Sequence, residues 1–148
     1  MFTCIVQVNA DLRTVKPIKK RSFCPIASAL DIIGDKWSLL IVRDLVFEGK
    51  NTYGQYLRGE ERIATNILAD RLEWLEQAGI IKRSPHPDGR TKSTFKLTAK
   101  GADLIPLIVD MVVWGDKHLE ISAQARQMAR MIRADREAVI RMLRDRLE

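Results

Sequence analysis

The sequence contains few of the residues on which disulfide frameworks and metal sites depend. Its 148 residues include two cysteines, Cys4 and Cys24, and two histidines, His86 and His118. Two cysteines cannot form the multi-bridge framework of a small secreted domain, and they are consistent with a reducing cytoplasm. Since there is also no Cys-x-x-Cys pair, we expect no metal site.

Long apolar runs and enzyme motifs are missing as well. The longest apolar block runs from Leu104 to Val109 and stops at Asp110, whereas a membrane-spanning helix needs roughly 20 such residues. Residues 1–10 lack the basic leader and long apolar core of a secretory signal. No glycine-rich phosphate loop and no catalytic Ser/His/Asp order is present. We therefore expect a cytoplasmic protein that is not an enzyme, needs no cofactor and binds no membrane.

The charge of the chain is high and unevenly distributed. Lys and Arg number 25 against 19 Asp and Glu, and the net charge of +6 favours an anionic partner, nucleic acid before a membrane surface. Basic residues are in excess in residues 1–22, 63–100 and 121–148, whereas acidic residues are in excess in residues 101–120. This segmentation indicates charged patches rather than a uniformly solvated surface.

Hydrophobic spacing and turn residues predict a mainly helical chain with one pair of strands. Pro25 opens a first helix in which Ile26, Ala29, Leu30 and Ile33 recur at helical spacing, and Asp35 is the expected N-cap of a second helix. The other predicted elements are a short strand from Phe2 to Val8, a short helix from Tyr53 to Leu57, a long helix from Ile63 or Ala64 to Ala78, strands from Ile80 to Arg83 and from Thr94 to Leu97, one helix from Thr98 to about Leu119 kinked at Pro106, and one from about Ala123 to Leu147.

The order of these elements contains a helix-turn-helix pattern. A short helix, a tight connection and a longer helix with a polar face are followed directly by a strand pair. An ordered set of residues resembles the HxlR-type winged-helix transcriptional regulators of bacteria, which are relatives of the MarR-type regulators. The set comprises Cys24-Pro25, Gly34 to Ile41, Arg43 to Leu45, Tyr53 to Gln55, Ile67 to Leu72, Leu75-Glu76, Gly79-Ile80, Leu97-Thr98, Gly101 and Trp114-Gly115.

The resemblance covers about residues 23–119 and implies a winged helix-turn-helix of the α+β class, mainly α with a small β-hairpin wing. The expected organisation is a basic N-terminal arm (1–22), an HxlR-type winged-helix domain (23–120) and an Arg-rich C-terminal helix (121–148). The implied function is sequence-specific binding of double-stranded operator DNA by a homodimer that regulates transcription. The alternative is a winged-helix module that binds protein and not specific DNA. The chain departs from the family pattern at Trp74, a position that is usually polar.

The long helix is the element that the resemblance places in the major groove. Its first turns present Thr65, Asn66 and Ala69, with Arg71 one step on. Asparagine bonds adenine bidentately, and alanine or a threonine methyl contacts a thymine methyl. The alternative is that Thr65 and Asn66 only cap the helix and that the acidic residues behind them form a solvated face.

The predicted hairpin is the stronger electrostatic signal. Residues 82–96 hold five cations against the single acid Asp88, and a basic hairpin of this kind contacts the DNA backbone or the minor groove. The alternative is a solvated hairpin. Tyr53 is either a phosphate contact or a core residue with its hydroxyl outward. Outside the long helix, the expected DNA contacts are Thr52, Tyr53, Gln55, His86, Arg90 and Lys92.

The segment from Leu104 to Trp114 is apolar around nearly its whole circumference, which predicts a helix that is buried on all sides. One side can pack on the domain and the other on a second copy, and the resemblance implies the same dimer through terminal helices. The alternative is that residues 123–147 fold back and cover that face. The expected interface residues are Leu104, Leu107, Ile108, Met111, Val112 and Trp114.

The tail and Cys24 carry the remaining expectations. All seven basic residues of the tail are Arg, and the spacing of Arg133–Glu137, Glu137–Arg141 and Arg141–Asp145 favours a solvated face with ion pairs along the helix. Extra DNA contacts and a tail that wraps the dimer are the alternatives. Cys24 stands at a helix N-terminus just after three cations, an environment that favours the reactive thiolate, so it is a candidate redox sensor. A small buried thiol and an apolar effector near Trp37 and Trp114 are the alternatives.

Overall fold

A computed structural model describes Ile18, residues 21–89 and residues 92–147. The expected mainly helical chain with one small hairpin is confirmed in this part of the chain, whereas the predicted strand from Phe2 to Val8 and most of the basic arm lie outside it. The elements are α1 Pro25–Ile33, α2 Lys36–Arg43, α3 Tyr53–Leu57, α4 Thr65–Gln77, β1 Ile81–Pro85, β2 Ser93–Leu97, α5 Ala99–Ala102, α6 Ile105–His118, α7 Ala123–Ala134 and α8 Arg136–Asp145.

Side-chain caps determine where the helices before the hairpin begin. The Asp35 carboxylate accepts hydrogen bonds from the backbone N–H and the hydroxyl of Ser38 at 2.9 and 2.6 Å, so Asp35 is the N-cap of α2, as predicted. A π-helical turn, Asp44–Glu48, extends α2 to Gly49, whose φ of 64° ends it. Thr52 caps α3 in a reciprocal capping box with Gln55.

Pro106 begins a helix instead of kinking one, which corrects the prediction of a single helix from Thr98 to Leu119. Helix α5 ends at Ala102, and Pro106 lies in the first turn of α6, where its missing N–H leaves no hydrogen bond unmade. Thr98 caps α5 as expected, and its hydroxyl also donates to the Gly79 carbonyl at 2.5 Å.

Asp135 divides the tail into two helices, which corrects the prediction of one helix from Ala123 to Leu147. Its backbone leaves the helical region (φ −156°, ψ 89°), and its carboxylate accepts a hydrogen bond from the Ala138 N–H at 2.9 Å. An aspartate stabilises the start of a new helix in this way better than it stabilises a helix interior. The expected Arg133–Glu137 pair therefore spans a break.

The hairpin is antiparallel, with Ile81 opposite Leu97 and Pro85 opposite Ser93. β2 ends at Leu97 as predicted, and the other three strand limits lie one or two residues away from the predicted ones. The segment Asn51-Thr52, predicted as a connector, pairs with β2, since the Phe95 N–H donates to the Asn51 carbonyl at 2.8 Å. This pairing joins the start of α3 to the wing.

The core lies between α2, α4, the inner face of the hairpin and α6. Fully burying an aliphatic side chain contributes about 1.5–3 kcal/mol, so this core orients α4 firmly. Its largest fully buried side chains in these elements are Val42 of α2, Val46 of the π-helical turn that extends it, Leu68, Leu72 and Leu75 of α4, Ile81 of β1, and Ile105 and Val109 of α6.

Candidate nucleic-acid interface

The N-terminal half of α4 presents an exposed polar face. Thr65, Asn66 and Ala69 are exposed, whereas Leu68 and Leu72 on the opposite side are buried. Ala64 is the N-cap and provides no side-chain hydrogen bond, so the alternative in which Thr65 and Asn66 cap the helix is wrong. They are its first two helical residues, and neither side chain forms a hydrogen bond with a described residue.

Two hydrogen bonds attach α4 to its neighbours. The Tyr53 hydroxyl donates to the Thr65 carbonyl at 2.7 Å, which joins α3 to the first turn of α4. The Trp74 indole N–H donates to the Ile32 carbonyl at 2.8 Å, which joins α4 to α1. Trp74 is thus the donor of a tertiary hydrogen bond at a position where the resembled family is usually polar.

Arg71 does not lie on the exposed face where it was expected. Its guanidinium bonds the carboxylate of Asp70 and reaches Asp35 Oδ2 at 3.3 Å, on the side of α4 that faces α2. Partial burial opposes ionisation of Asp35, but hydrogen bonds from Ser38 and the charge of Arg71 outweigh it and lower the pKa of Asp35. Arg71 therefore stabilises the capped start of α2.

The residues expected to contact phosphates at α3 lie together but use their polar groups within the fold. Gln55 Oε1 accepts hydrogen bonds from the N–H groups of Asn51 and Thr52 at 2.9 and 3.0 Å. Tyr53 packs its ring on the core and directs its hydroxyl to the carbonyl of Thr65. Thr52, Tyr53 and Gln55 are all half-buried; Thr52 and Gln55 fix the start of α3, and Tyr53 joins α3 to α4.

The turn of the wing closes around His86. The His86 N–H donates to the Lys92 carbonyl at 3.0 Å, and the imidazole contacts the Asp88 carboxylate. Gly89 has a φ of 67°, which glycine adopts at no steric cost. Lys92 is exposed at this end of the hairpin, and Arg90 lies outside the described residues.

The base of the hairpin also carries cations. Lys82 and Lys96 lie directly opposite each other on β1 and β2, and both are exposed. The Arg83 guanidinium lies 5.3 Å from the Phe95 ring centroid and 3.5 Å from the Glu76 carboxylate. Like charges facing each other across two strands disfavour the hairpin unless an anion lies near them.

A cleft of about 650 Å³ separates α3 and α4 from the wing. Arg58, Arg83 and Lys92 line it with positive charge, and Glu73 is the acidic residue among its described lining. Sequence reasoning missed Arg58, which follows the last residue of α3. Residues 23–62 have a slight excess of acidic residues, so the net charge of this segment did not indicate a basic site. The position of Arg58 at the end of the short helix was the one feature that could have identified it.

Three of the six expected dimer residues form an exposed apolar stripe along α6. Leu107, Met111 and Trp114 are 44%, 50% and 60% exposed, and their spacing places them on one face. Leu104 and Val112 are half-buried. Ile108 is 5% exposed and packs into the core of its own chain, so its assignment to the dimer interface is corrected: it lies on the inner side of α6.

The first helix leaves an apolar face uncovered as well. Ile26 and Leu30 are 70% and 55% exposed, and Ile33 is the buried member of the spacing that predicted α1. The exposed apolar residues of α1 and α6 are the kind of surface that soluble proteins bury against a partner.

The tail folds back on α6, but on a different face from the stripe. Helices α7 and α8 both contact α6, with Ile132, Val139 and Leu143 buried. The arginines pair with the acidic residues of α6 and its approach: Arg144 with Asp103 at 3.0 Å, Arg136 with Asp110 at 2.8 Å, and Arg126 and Arg133 with Asp116. The arginines keep the expected solvated face, since their side chains are 39–53% exposed, but their partners are acids of α6 and its approach instead of the expected i,i+4 residues. These pairs account for the opposite charges of residues 101–120 and 121–148.

Cys24 is exposed at the N-cap of α1, and its N–H donates to Ser22 Oγ at 3.2 Å. The alternative of a small buried thiol is therefore wrong. Trp37 is half-buried beside Lys36, whose Nζ lies 4.8 Å from the ring centroid, and Trp114 is exposed next to His118. In the part of the chain that the structure describes, no helix has the length and apolarity required to cross a membrane.

Comparison with known proteins supports the same architecture. A family model described as HxlR-like helix-turn-helix matches residues 32–123. An uncharacterized HTH-type transcriptional regulator of Synechocystis sp., sll1512, is 34% identical over 118 residues, which are 80% of this chain and 84% of that protein. The redox regulator HypR in its oxidized form has a TM-score of 0.59 and 28% identity, covering 66% of this chain and 100% of HypR. The reduced form of the transcriptional regulator YodB from B. subtilis has a TM-score of 0.55 and 30% identity, covering 67% of this chain and 97% of YodB.

Proposed function

This chain belongs to the HxlR-like helix-turn-helix family of transcriptional regulators, and from that premise we propose that it binds specific duplex DNA as a homodimer. Helix α4 lies in the major groove, and the hairpin contacts the backbone or the minor groove. The observation that carries the proposal is the exposed face of Thr65, Asn66 and Ala69 on a helix whose opposite side is anchored by buried leucines. Residues 23–120 form the DNA-binding domain, between the basic arm (1–22) and the Arg-rich tail (121–148).

Base readout depends on the first two turns of α4. Asn66 has a free amide in the second helical position and can bond adenine bidentately, while Ala69 and the Thr65 methyl suit a thymine methyl. The N–H groups of this helix N-terminus have no side-chain cap, which favours a nearby phosphate.

Backbone contacts come from the cations around the cleft. Lys92 and Arg58 line it, and His86 and Arg90 are the further proposed contacts, of which Arg90 lies outside the described residues. Thr52 and Gln55 fix the start of α3 through their capping box, and the Tyr53 hydroxyl joins α3 to α4, so these residues act by positioning the two helices. Each phosphate that the protein neutralises steepens the salt dependence of binding by about one unit.

The exposed stripe of α6 and the uncovered face of α1 supply the dimer surface. Burying Leu107, Met111 and Trp114 against a second copy removes from water the most exposed apolar residues of α6. A two-fold partner also places two recognition helices on half-sites about 34 Å apart. The same family architecture and this unpaired surface support the homodimer.

Selection of bound DNA from a random pool, followed by gel shifts across a salt series, tests the DNA-binding proposal. Asn66→Ala is expected to weaken binding roughly 5- to 150-fold and to relax the preference at one base pair of each half-site. Gln124→Ala is the matched control, since Gln124 is an exposed amide at the second position of α7. Lys92→Ala is expected to weaken all sequences alike and to lower the salt slope by about one. Absence of duplex binding at low salt would refute the proposal and favour the protein-interaction alternative.

Sedimentation of two methionine variants tests the dimer. Met111→Glu places a charge in the exposed stripe of α6 and is expected to yield monomers. Met131→Glu is the matched control, because Met131 is 44% exposed on α7. A monomeric parent protein, or a dimer that tolerates Met111→Glu, would refute this interface.

Cys24 is the proposed site of an oxidant signal, because its exposed thiol stands at a helix start next to the uncovered face of α1. A hydroperoxide would oxidise the thiolate to a sulfenic acid and would itself be reduced to the alcohol. DNA affinity of the parent protein is expected to change on peroxide treatment, and that of Cys24→Ser to stay constant. Cys4→Ser is the control, and an equal response of Cys24→Ser and the parent protein would exclude this role.

A further inference from the structure

A second cavity lies on the far side of β2 from the DNA-facing cleft. It measures about 190 Å³, opens to solvent, and is lined by the π-helical end of α2, the base of β2 and the end of the tail. Leu45, Val46 and Phe95 form walls that are at most 4% exposed, and Leu97 and Leu147 complete the apolar lining. The tail residues that line this cavity lie beyond residue 123, where the family match ends.

Two cations lie in this lining. Lys96 and Arg146 line the cavity, and none of its described lining residues is Asp or Glu. Neither cation forms an ion pair with a described residue, in contrast to the four tail arginines that pair with acids of α6 and its approach. Apolar walls with uncompensated positive charge are complementary to an anion that carries an apolar body.

The volume limits the size of that body. An apolar cavity of about 150 Å³ accommodates benzene, so about 190 Å³ accommodates one ring or a branched chain together with a carboxylate. Inorganic phosphate is expected to bind more weakly than such a carboxylate, because it has no apolar part to fill the space beside Leu45, Val46 and Phe95. We propose that this cavity is a binding site for a small apolar carboxylate.

The position of the cavity connects it to the DNA-binding elements. Phe95 lines both this cavity and the cleft between α4 and the wing. Its N–H donates to the carbonyl of Asn51, another residue of the cavity, and Thr52 next to it lines the cleft. A carboxylate bound here contacts the base of the wing, and it changes DNA affinity to the extent that it binds the free and DNA-bound forms differently. This last step rests on the proposed function, whereas carboxylate binding does not.

Calorimetric titration of the full chain with benzoate, phenylacetate and isovalerate tests the site, with benzamide and inorganic phosphate as comparisons. Saturable binding of at least one carboxylate is expected, with benzamide and phosphate bound at least tenfold more weakly. Arg146→Gln and Lys96→Gln are each expected to weaken carboxylate binding about tenfold, since a charge-assisted hydrogen bond is lost. Both residues are exposed, and circular dichroism verifies that the variants fold.

Arg141→Gln is the matched control, because Arg141 is an exposed arginine of α8 that does not line the cavity. No saturable binding of any carboxylate, equal binding of benzamide, or an equal loss in Arg141→Gln would overturn the site. Gel shifts with saturating carboxylate then test the coupling. Unchanged DNA affinity would refute the coupling between the cavity and DNA binding, while the carboxylate-binding site itself would stand. A chain that binds carboxylate but no DNA under any condition would overturn the proposed function and not the site.

Discussion

Glu61 stabilises the turn that precedes α4, and its removal is expected to lower the stability of the fold in a pH-dependent way. The residue lies between α3 and α4, and its carboxylate accepts hydrogen bonds from both terminal nitrogens of the Arg43 guanidinium on α2. Arg62, the next residue, has a φ of 53°, a backbone conformation that needs support from its surroundings in a residue other than glycine. The hydrogen bond from Arg43 lowers the pKa of Glu61 from its ordinary 4.5 to about 2.

The structure sets the size of the expected effect. A fall in pKa from 4.5 to about 2 corresponds to about 3.4 kcal/mol for a fully desolvated group. The Glu61 side chain is 40% exposed, so solvent screening reduces the contribution to about 1 kcal/mol. Because the folded-state pKa is the lower one, this stabilisation is complete above pH 4.5 and is lost as the pH falls from 4.5 to about 2.

Urea unfolding of the parent protein and Glu61→Gln between pH 7 and pH 2 measures this contribution. The variant is expected to be about 1 kcal/mol less stable at pH 7, with the difference disappearing near pH 2. Glu60→Gln is the matched control, since Glu60 is exposed and forms no ion pair with a described residue. A difference that does not vary with pH, or one equally large in Glu60→Gln, would refute the role of the Arg43–Glu61 pair.

Three further substitutions test side-chain packing and tertiary bonds by urea unfolding. Ile132→Ala is expected to lower the free energy of unfolding by about 3 kcal/mol, because Ile132 is buried between the tail and α6. Met131→Ala, on the exposed side of α7, should lower it by about 0.5 kcal/mol. Equal losses would contradict the packing of the tail on α6. Gly101→Ala is expected to lower the free energy of unfolding by about 3 kcal/mol, because the added Cβ would lie 2.0 Å from the Ile80 carbonyl oxygen. Gly115→Ala should be neutral or stabilising, because its Cβ would meet no described side chain closer than 3.9 Å. Trp74→Phe is expected to cost about 1–2 kcal/mol through the lost hydrogen bond to α1, and an unchanged midpoint would show that this bond contributes nothing.

Local signals predicted most of the elements because a helix end depends on residues only a few positions apart. Asp35 and Thr98 cap the helices that they were expected to cap. The two wrong boundaries, at Pro106 and Asp135, came from residues that are compatible with two local outcomes. A proline either kinks a helix or begins one, and an aspartate either lies on a helix surface or caps a new helix. The contacts of the surrounding helices selected the second outcome in both cases.

The candidate site was predictable where it depends on position along a helix and not where it depends on a partner. Thr65, Asn66 and Ala69 are exposed as expected, since they share a face opposite the buried leucines of α4. Arg71 was expected beside this face, but its guanidinium donates a hydrogen bond to Asp35, which lies 36 residues earlier in the chain, and therefore points toward α2. Ile108 shares its helix with the exposed stripe but faces the core.

The sequence by itself determined the order of elements, the basic hairpin and the opposite charges of α6 and the tail, because periodicity, caps and charge are properties of neighbouring residues. Only the tertiary structure decided which arginine meets which acid, which face of α6 the tail covers, and that β2 separates two cavities. Arg144 and Asp103 are 41 residues apart in the chain, and the second cavity that Phe95 lines forms only where Arg146 and Leu147 meet β2. Helical periodicity specifies which residues share a face, whereas the neighbour of that face is selected by the burial of apolar surface across the whole chain.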